Sequence, residues 1–306
     1  MEHLRNSFIG KNSFWRYLVM IAVVFLATNT VGVIPLLITG LIKSVSNPDI
    51  LTSGDFLTSL NVSQNFMFAL MLFPFIAGLA AYALLIKPLH GRSFLQTITG
   101  NSSFRWKHFC ISGGLWMIFM GLSLFAYIGF DAENYTVNNI SFSLIPLIIL
   151  SFLLIPFQAA FEEVIFRGYL MQGFTALFPS KIFALLTTTL LFALMHSLNP
   201  EVKEFGFFSI MPQYLTFGLI FGLLTILDNG IESALGAHAA NNIFLCIFVT
   251  QKASALQTPA LFEQHVYNPG AELSGMVIVG AIFVLTLWKI FGWKNVFINA
   301  KKEYSG

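Results

Sequence analysis

Two adjacent carboxylates and a guanidinium, Glu162, Glu163 and Arg167, lie inside one of the most apolar stretches of this chain. A charged side chain at the centre of a membrane helix costs roughly 2.5–3.5 kcal/mol on insertion scales. Three of them within six residues therefore require compensation or a purpose. On a helix Glu163 and Arg167 are four apart and share a face, where each offsets the charge of the other. Glu162 projects about 100° away and has no such built-in partner. One reading is an ion pair that joins helices; the sharper one is a carboxylate aimed into a dry site.

Two later segments favour the sharper reading. Phe192 and His196 are four apart on one helix face, and the helix gives way at Ser197-Leu198-Asn199-Pro200. His238 and Asn242 repeat that spacing within a run of small residues, Gly236, Ala237, Ala239 and Ala240, which lets other backbones come close. Taken alone, each histidine is accounted for by a cap or an interhelical hydrogen bond. Together, a carboxylate, two imidazoles and a carboxamide supply what amide hydrolysis requires. One group activates water, a second holds it, and neutral donors meet the developing oxyanion. No serine or cysteine stands beside them as a nucleophile, so direct attack by water fits better than an acyl-enzyme.

The elements that must position these groups are membrane helices. Of 306 residues, 56% are hydrophobic and only 10% charged, against about 25% charged in soluble domains. The expectation is an all-α polytopic membrane protein with a polar catalytic cavity within its bundle. It forms one integral membrane domain over 1–306. At about 20 apolar residues per crossing, spans are expected near 17–42, 66–86, 108–130, 142–161, 182–198, 214–228, 231–250 and 274–293. That makes about eight transmembrane helices, the sixth short and the seventh interrupted by His238, Asn241 and Asn242. Apolar character runs from Ser141 to Phe178, too long for one crossing, with Pro156 expected to kink it. Arg167, Gly168 and Gly173 are read as a helix end or a segment lying along the cytoplasmic face. Counted from there, Glu162 and His196 fall at different depths, and tilt or kinks must bring them level.

Basic residues orient the chain. Arg5, Lys11 and Arg16 precede the first span, Lys87, Arg92, Arg105 and Lys107 flank the second connection, and Lys294, Lys301 and Lys302 follow the last. By the positive-inside rule both termini are cytoplasmic. Cys110 and Cys246 sit in apolar runs and read as small buried groups rather than a disulfide or thiolate site.

Glu162-Glu163-X-X-X-Arg167, Phe192-X-X-X-His196 and His238-X-X-X-Asn242 resemble, in order, the three motifs of the CPBP family of CAAX proteases and bacteriocin-processing enzymes. The family is also called Abi and includes the type II CAAX prenyl endopeptidase of eukaryotes. The similarity covers about 158–245. It implies an intramembrane endopeptidase acting on membrane-associated or lipidated peptides. Glu162 would be the general base, His196 the group that holds the water, and His238 with Asn242 the oxyanion donors. Glu163 and Arg167 would support them. Family members are described both as metalloproteases and as glutamate-dependent enzymes. The reading preferred here needs no metal, because no His-Glu-X-X-His segment presets two ligands. Zinc on Glu162, His196 and His238 is the alternative. The expected partners are a peptide or protein substrate at the membrane and the lipid bilayer, with no nucleic acid. The expected location is a bacterial plasma membrane. Competing functions are a transporter that uses the same residues for protons or ions, and a non-catalytic immunity or scaffold protein on the same frame.

Overall fold

The computed structural model describes residues 1–138, 142 and 144–294; Ser141, Lys301 and Lys302 lie outside them. The apolar stretches form α1 (Phe14–Asn29), α2 (Ile34–Ser44), α3 (Gln64–His90), α4 (Trp106–Phe130) and α5 (Leu144–Glu163). They continue with α6 (Met171–Leu177), α7 (Lys181–Met195), α8 (Phe207–Asp228), α9 (Glu232–Phe248) and α10 (Pro269–Phe291). Six helical stretches among the described residues are long and apolar enough to cross a membrane: 14–44, 64–90, 106–130, 144–177, 207–228 and 269–291. The outward faces carry exposed Leu84, Phe125 and Ile149, a surface that acyl chains rather than water suit. The protein is a predominantly helical integral membrane protein.

The eight expected spans correspond to these six plus two shorter helices, α7 and α9. The two short ones carry His196, His238 and Asn242. The helix containing Gly218 starts at Phe207, so the sixth expected span, read as short, is long enough to cross a membrane. The seventh is continuous through His238, Asn241 and Asn242, because neighbouring side chains satisfy them and the helix need not break. Nearly every residue of α9 is buried, so protein rather than lipid surrounds its polar groups.

Glycine makes this burial possible. A Cβ on Gly236 would stand 2.2 Å from the Phe109 carbonyl oxygen, and one on Gly113 would stand 3.0 Å from that of Gly236. Backbone thus meets backbone where α4 crosses α9, and the Ser112 hydroxyl donates to the Ser233 carbonyl at 2.6 Å. The Gly218-X-X-X-Gly222 pair is likewise spent internally, with Gly218 against Thr189 and Gly222 against Leu185 of α7.

Short strands β1 (Tyr135–Val137), β2 (Val249–Thr250) and β3 (Phe262–Gln264) form a small sheet in the order β1-β3-β2. At the other end Arg105 bridges Asp228 and Glu232, at 3.1 and 2.8 Å. These two acids are fully buried, so the bridge closes the α8–α9 turn against the start of α4.

Candidate active site

The chain does not stop at Arg167. After Glu163 it passes through a π-helical turn, Val164–Leu170, and continues as α6 to Leu177. The expected helix end is therefore corrected, and packing gives the reason. Arg167 is fully buried, with Nη1 donating to Glu163 Oε1 at 2.8 Å and Nη2 to the Gly218 carbonyl at 3.2 Å. Its guanidinium carbon stands 4.3 Å from the centre of the Phe192 ring. Gly168 is small because a Cβ there would stand 2.7 Å from the Thr97 carbonyl oxygen, and Gly173 faces the ring of Tyr17.

Continuity of this helix settles the depth problem. Glu162 precedes Phe178 by sixteen residues and His196 follows Ser180 by sixteen, about 24 Å along either arm. α5–α6 and α7 form a hairpin with its turn at 178–180, so equal arms bring the two residues level. α7 ends at Met195 with His196 as its C-cap, directly before the expected break at 197–200.

Glu162 is 8% exposed. Its Oε1 accepts from Gln158 Nε2, and its Oε2 accepts no hydrogen bond from the described residues. That free oxygen lies 4.0 Å from His196 Nε2 and 3.6 Å from His238 Nε2. Three segments of the chain thus converge on one carboxylate oxygen. The hundred-degree step between Glu162 and Glu163 lets one helix address both nitrogens of the same imidazole: Glu163 Oε1 accepts from His238 Nδ1 at 2.8 Å. The His238 ring stacks on Phe221, with centroids 4.8 Å apart.

His196 is held from two sides. Its Nδ1 donates to the Phe192 carbonyl at 2.7 Å, and its ring stacks on Tyr214 at 4.3 Å. The Tyr214 hydroxyl in turn donates to Glu201 and accepts from Asn199. Asn242 does not contact His238 through a hydrogen bond; its Nδ2 donates to Gln158 Oε1 at 2.9 Å. One Asn242 N–H thus remains for another acceptor.

Sequence reasoning missed Gln158 and Tyr214. Gln158 was within reach: it lies four residues before Glu162 and so shares its helix face. Tyr214 had no such signal, since it reaches His196 across space from α8.

The N-terminal segment braces the π turn from below. His3 Nε2 donates to the Arg167 carbonyl at 3.1 Å, His3 N donates to Asn229 Oδ1 at 2.9 Å, and Gln172 Nε2 donates to the His3 carbonyl at 2.8 Å. A π turn misaligns backbone carbonyls that an α-helix would satisfy, and His3 meets one of them. Complete burial pushes the His3 imidazole down to about 4.

Compared with known proteins, residues 141–244 match the family profile described as type II CAAX prenyl endopeptidase Rce1-like. That interval contains Glu162, Glu163, Arg167, His196, His238 and Asn242. A protein of Bacillus subtilis (strain 168), named only as uncharacterized protein YyaK, is 32% identical over 294 residues. The match covers 92% of this chain and 96% of that protein. No solved structure matches.

Proposed function

The chain belongs to the type II CAAX prenyl endopeptidase Rce1-like family of membrane proteases, and from that membership we propose an intramembrane endopeptidase in which Glu162 and His196 activate water. The supporting observation is the free Oε2 of Glu162, 4.0 Å from His196 Nε2. A water at about 2.8 Å from both atoms bridges that gap. A carbonyl oxygen only accepts, so the Phe192 carbonyl fixes the hydrogen of a neutral His196 on Nδ1 and leaves Nε2 bare. The water then donates one hydrogen to Nε2 and the other to Glu162, which directs an oxygen lone pair at the scissile carbonyl.

Attack forms the C–O bond and moves the carbonyl π pair onto oxygen, while Glu162 takes a proton. His238 Nε2, 3.6 Å from Glu162 Oε2, receives that proton and becomes a donor to the oxyanion, beside the second N–H of Asn242. Glu163 balances the resulting imidazolium through its contact with Nδ1. Collapse breaks the C–N bond and the proton leaves with the amine. Glu162 and His238 are both buried within the helical bundle, where fixed dipoles are most effective.

To hold zinc this arrangement would have to tighten. Tetrahedral ligands about 2.0–2.1 Å from the ion stand about 3.3 Å apart, closer than the 3.6 and 4.0 Å separations here. Among the described residues no three His, Cys, Asp or Glu side chains form a metal-holding group. The reading is glutamate-dependent and metal-free.

The substrate class is a membrane-associated or lipidated peptide, because the carboxylate lies within a helical bundle beside His238, whose ring packs against Phe192 and Phe221. The proposed location is a bacterial plasma membrane with both termini cytoplasmic. N- and C-terminal proteomics of cells expressing wild type or Glu162→Ala tests the function. New termini confined to wild type are expected. Identical termini, with both proteins inserted, would return the site to a transporter or scaffold role.

A further inference from the structure

A line of side-chain hydrogen bonds reaches Glu162 from a helix that carries none of the motif residues. Trp116 Nε1 on α4 donates to Asn241 Oδ1 at 3.2 Å, and Asn241 Nδ2 donates to Asn242 Oδ1 at 3.0 Å. Asn242 Nδ2 donates to Gln158 Oε1 at 2.9 Å, and Gln158 Nε2 donates to Glu162 Oε1. Three members of the relay are buried, Trp116 at 1% exposed, Asn241 at 5% and Gln158 at 6%, and Asn242 between them is half-buried.

The two ends of this line dictate its direction. An indole N–H donates and cannot accept, whereas an ionised carboxylate accepts and cannot donate. With a donor at one end and an acceptor at the other, the three amides between them have one orientation that pairs every contact. Turning any amide over sets oxygen against oxygen and N–H against N–H, at a depth where unpaired polar groups are costly. We infer that Trp116 is a positioning residue for Glu162, acting through Asn241, Asn242 and Gln158. By directing the Gln158 amide onto Oε1, it turns Oε2 toward the two imidazoles. The inference rests on Glu162 being the base that activates water.

The fold supplies what this role needs. The backbone approach of Gly113 to Gly236 draws α4 against α9, and Trp116 follows three residues later. Its ring meets Phe283 of α10 edge-on at 4.8 Å, which fixes its rotation. Trp116 touches neither Glu162 nor an imidazole nitrogen, so loss of its N–H should act on turnover rather than on substrate binding.

The test uses the purified full-length protein and a fluorogenic peptide spanning the cut site found by the proteomic comparison. Trp116→Phe keeps an aromatic ring against Phe283, though a smaller one, and removes the N–H; kcat should fall about tenfold with KM within about twofold. Asn241→Leu breaks the line and should cost about a hundredfold. The double variant should be no worse than Asn241→Leu, because Trp116 acts only through Asn241. Losses that multiply, or that fall on KM, overturn the inference.

A second readout needs no turnover and decides the matter if Asn241→Leu does not fold. The protein has five tryptophans, and the Trp116 indole N–H resonance is the one missing from Trp116→Phe. The charge on Glu162 polarises the whole line, so Glu162→Gln should move that resonance and leave the other indoles in place. An unmoved resonance overturns the relay. Were wild type to cut no peptide, the protease reading would fail on its own, and the resonance would still decide the relay.

Discussion

Replacing Glu163 by Gln should destabilise the protein because it strands the Arg167 guanidinium. Both side chains are fully buried and meet at 2.8 Å. Removing one partner of such a pair costs about 3–5 kcal/mol, chiefly the penalty of an unpaired buried charge. Arg167 would keep its contact with the Gly218 carbonyl and the face of Phe192. Desolvated cation–aromatic contacts contribute up to about 2 kcal/mol, which places the expected loss near the lower bound, about 3 kcal/mol. Unfolding in mixed micelles titrated with denaturing detergent measures it. The double variant Glu163→Leu with Arg167→Met removes both charges and should cost less than either single change. It should nonetheless be inactive, since His238 Nδ1 loses the acceptor that Glu163 provides. A cost below about 1 kcal/mol for Glu163→Gln, or a double variant as damaged as the sum of its singles, would refute the buried-pair reasoning.

Gly236→Ala should be poorly tolerated, because its Cβ would stand 2.2 Å from the Phe109 carbonyl oxygen and only a backbone shift of α4 from α9 relieves the clash. A loss of about 1–3 kcal/mol is expected in the same unfolding assay. Burial holds His3 neutral down to about pH 4, against 6.5 for an unperturbed imidazole. The folded state therefore binds fewer protons than the unfolded state between these values. The resulting stability is present above about pH 6.5 and is lost as pH falls toward about 4, by about 3 kcal/mol at most. Hydrogen-exchange protection in residues 1–8, taken relative to the intrinsic rate at each pH, should fall over that window in wild type and show no such step in His3→Gln. Thorough chelation should leave proteolysis intact; activity lost to a chelator and restored by zinc would replace the metal-free mechanism. Reporter fusions at the two ends should both report the cytoplasmic side, and opposite sides would overturn the orientation read from the basic residues.

Composition and apolar run length alone determine that this chain is a helical membrane protein, because the cost of burying charge and unpaired backbone in lipid leaves few other solutions. Helical periodicity also determines the pairing of Glu163 with Arg167, a local matter of four residues and one face. The order of the three motifs pointed to the residues that meet in space. Relative depth was not legible: Glu162 and His196 are equidistant from the 178–180 turn, but that counts only once the helix is known to run through Arg167. That continuity is decided by tertiary contacts: the rings and carbonyl that enclose Arg167 and the close approach of Thr97 to Gly168. Which nitrogen of His238 meets which carboxylate, how Tyr214 braces His196, and how Trp116 reaches Glu162 are likewise set across helices. Linear spacing encodes which residues share a face of one helix. Which faces meet is fixed only when glycines such as Gly113 and Gly236 let backbones close to contact.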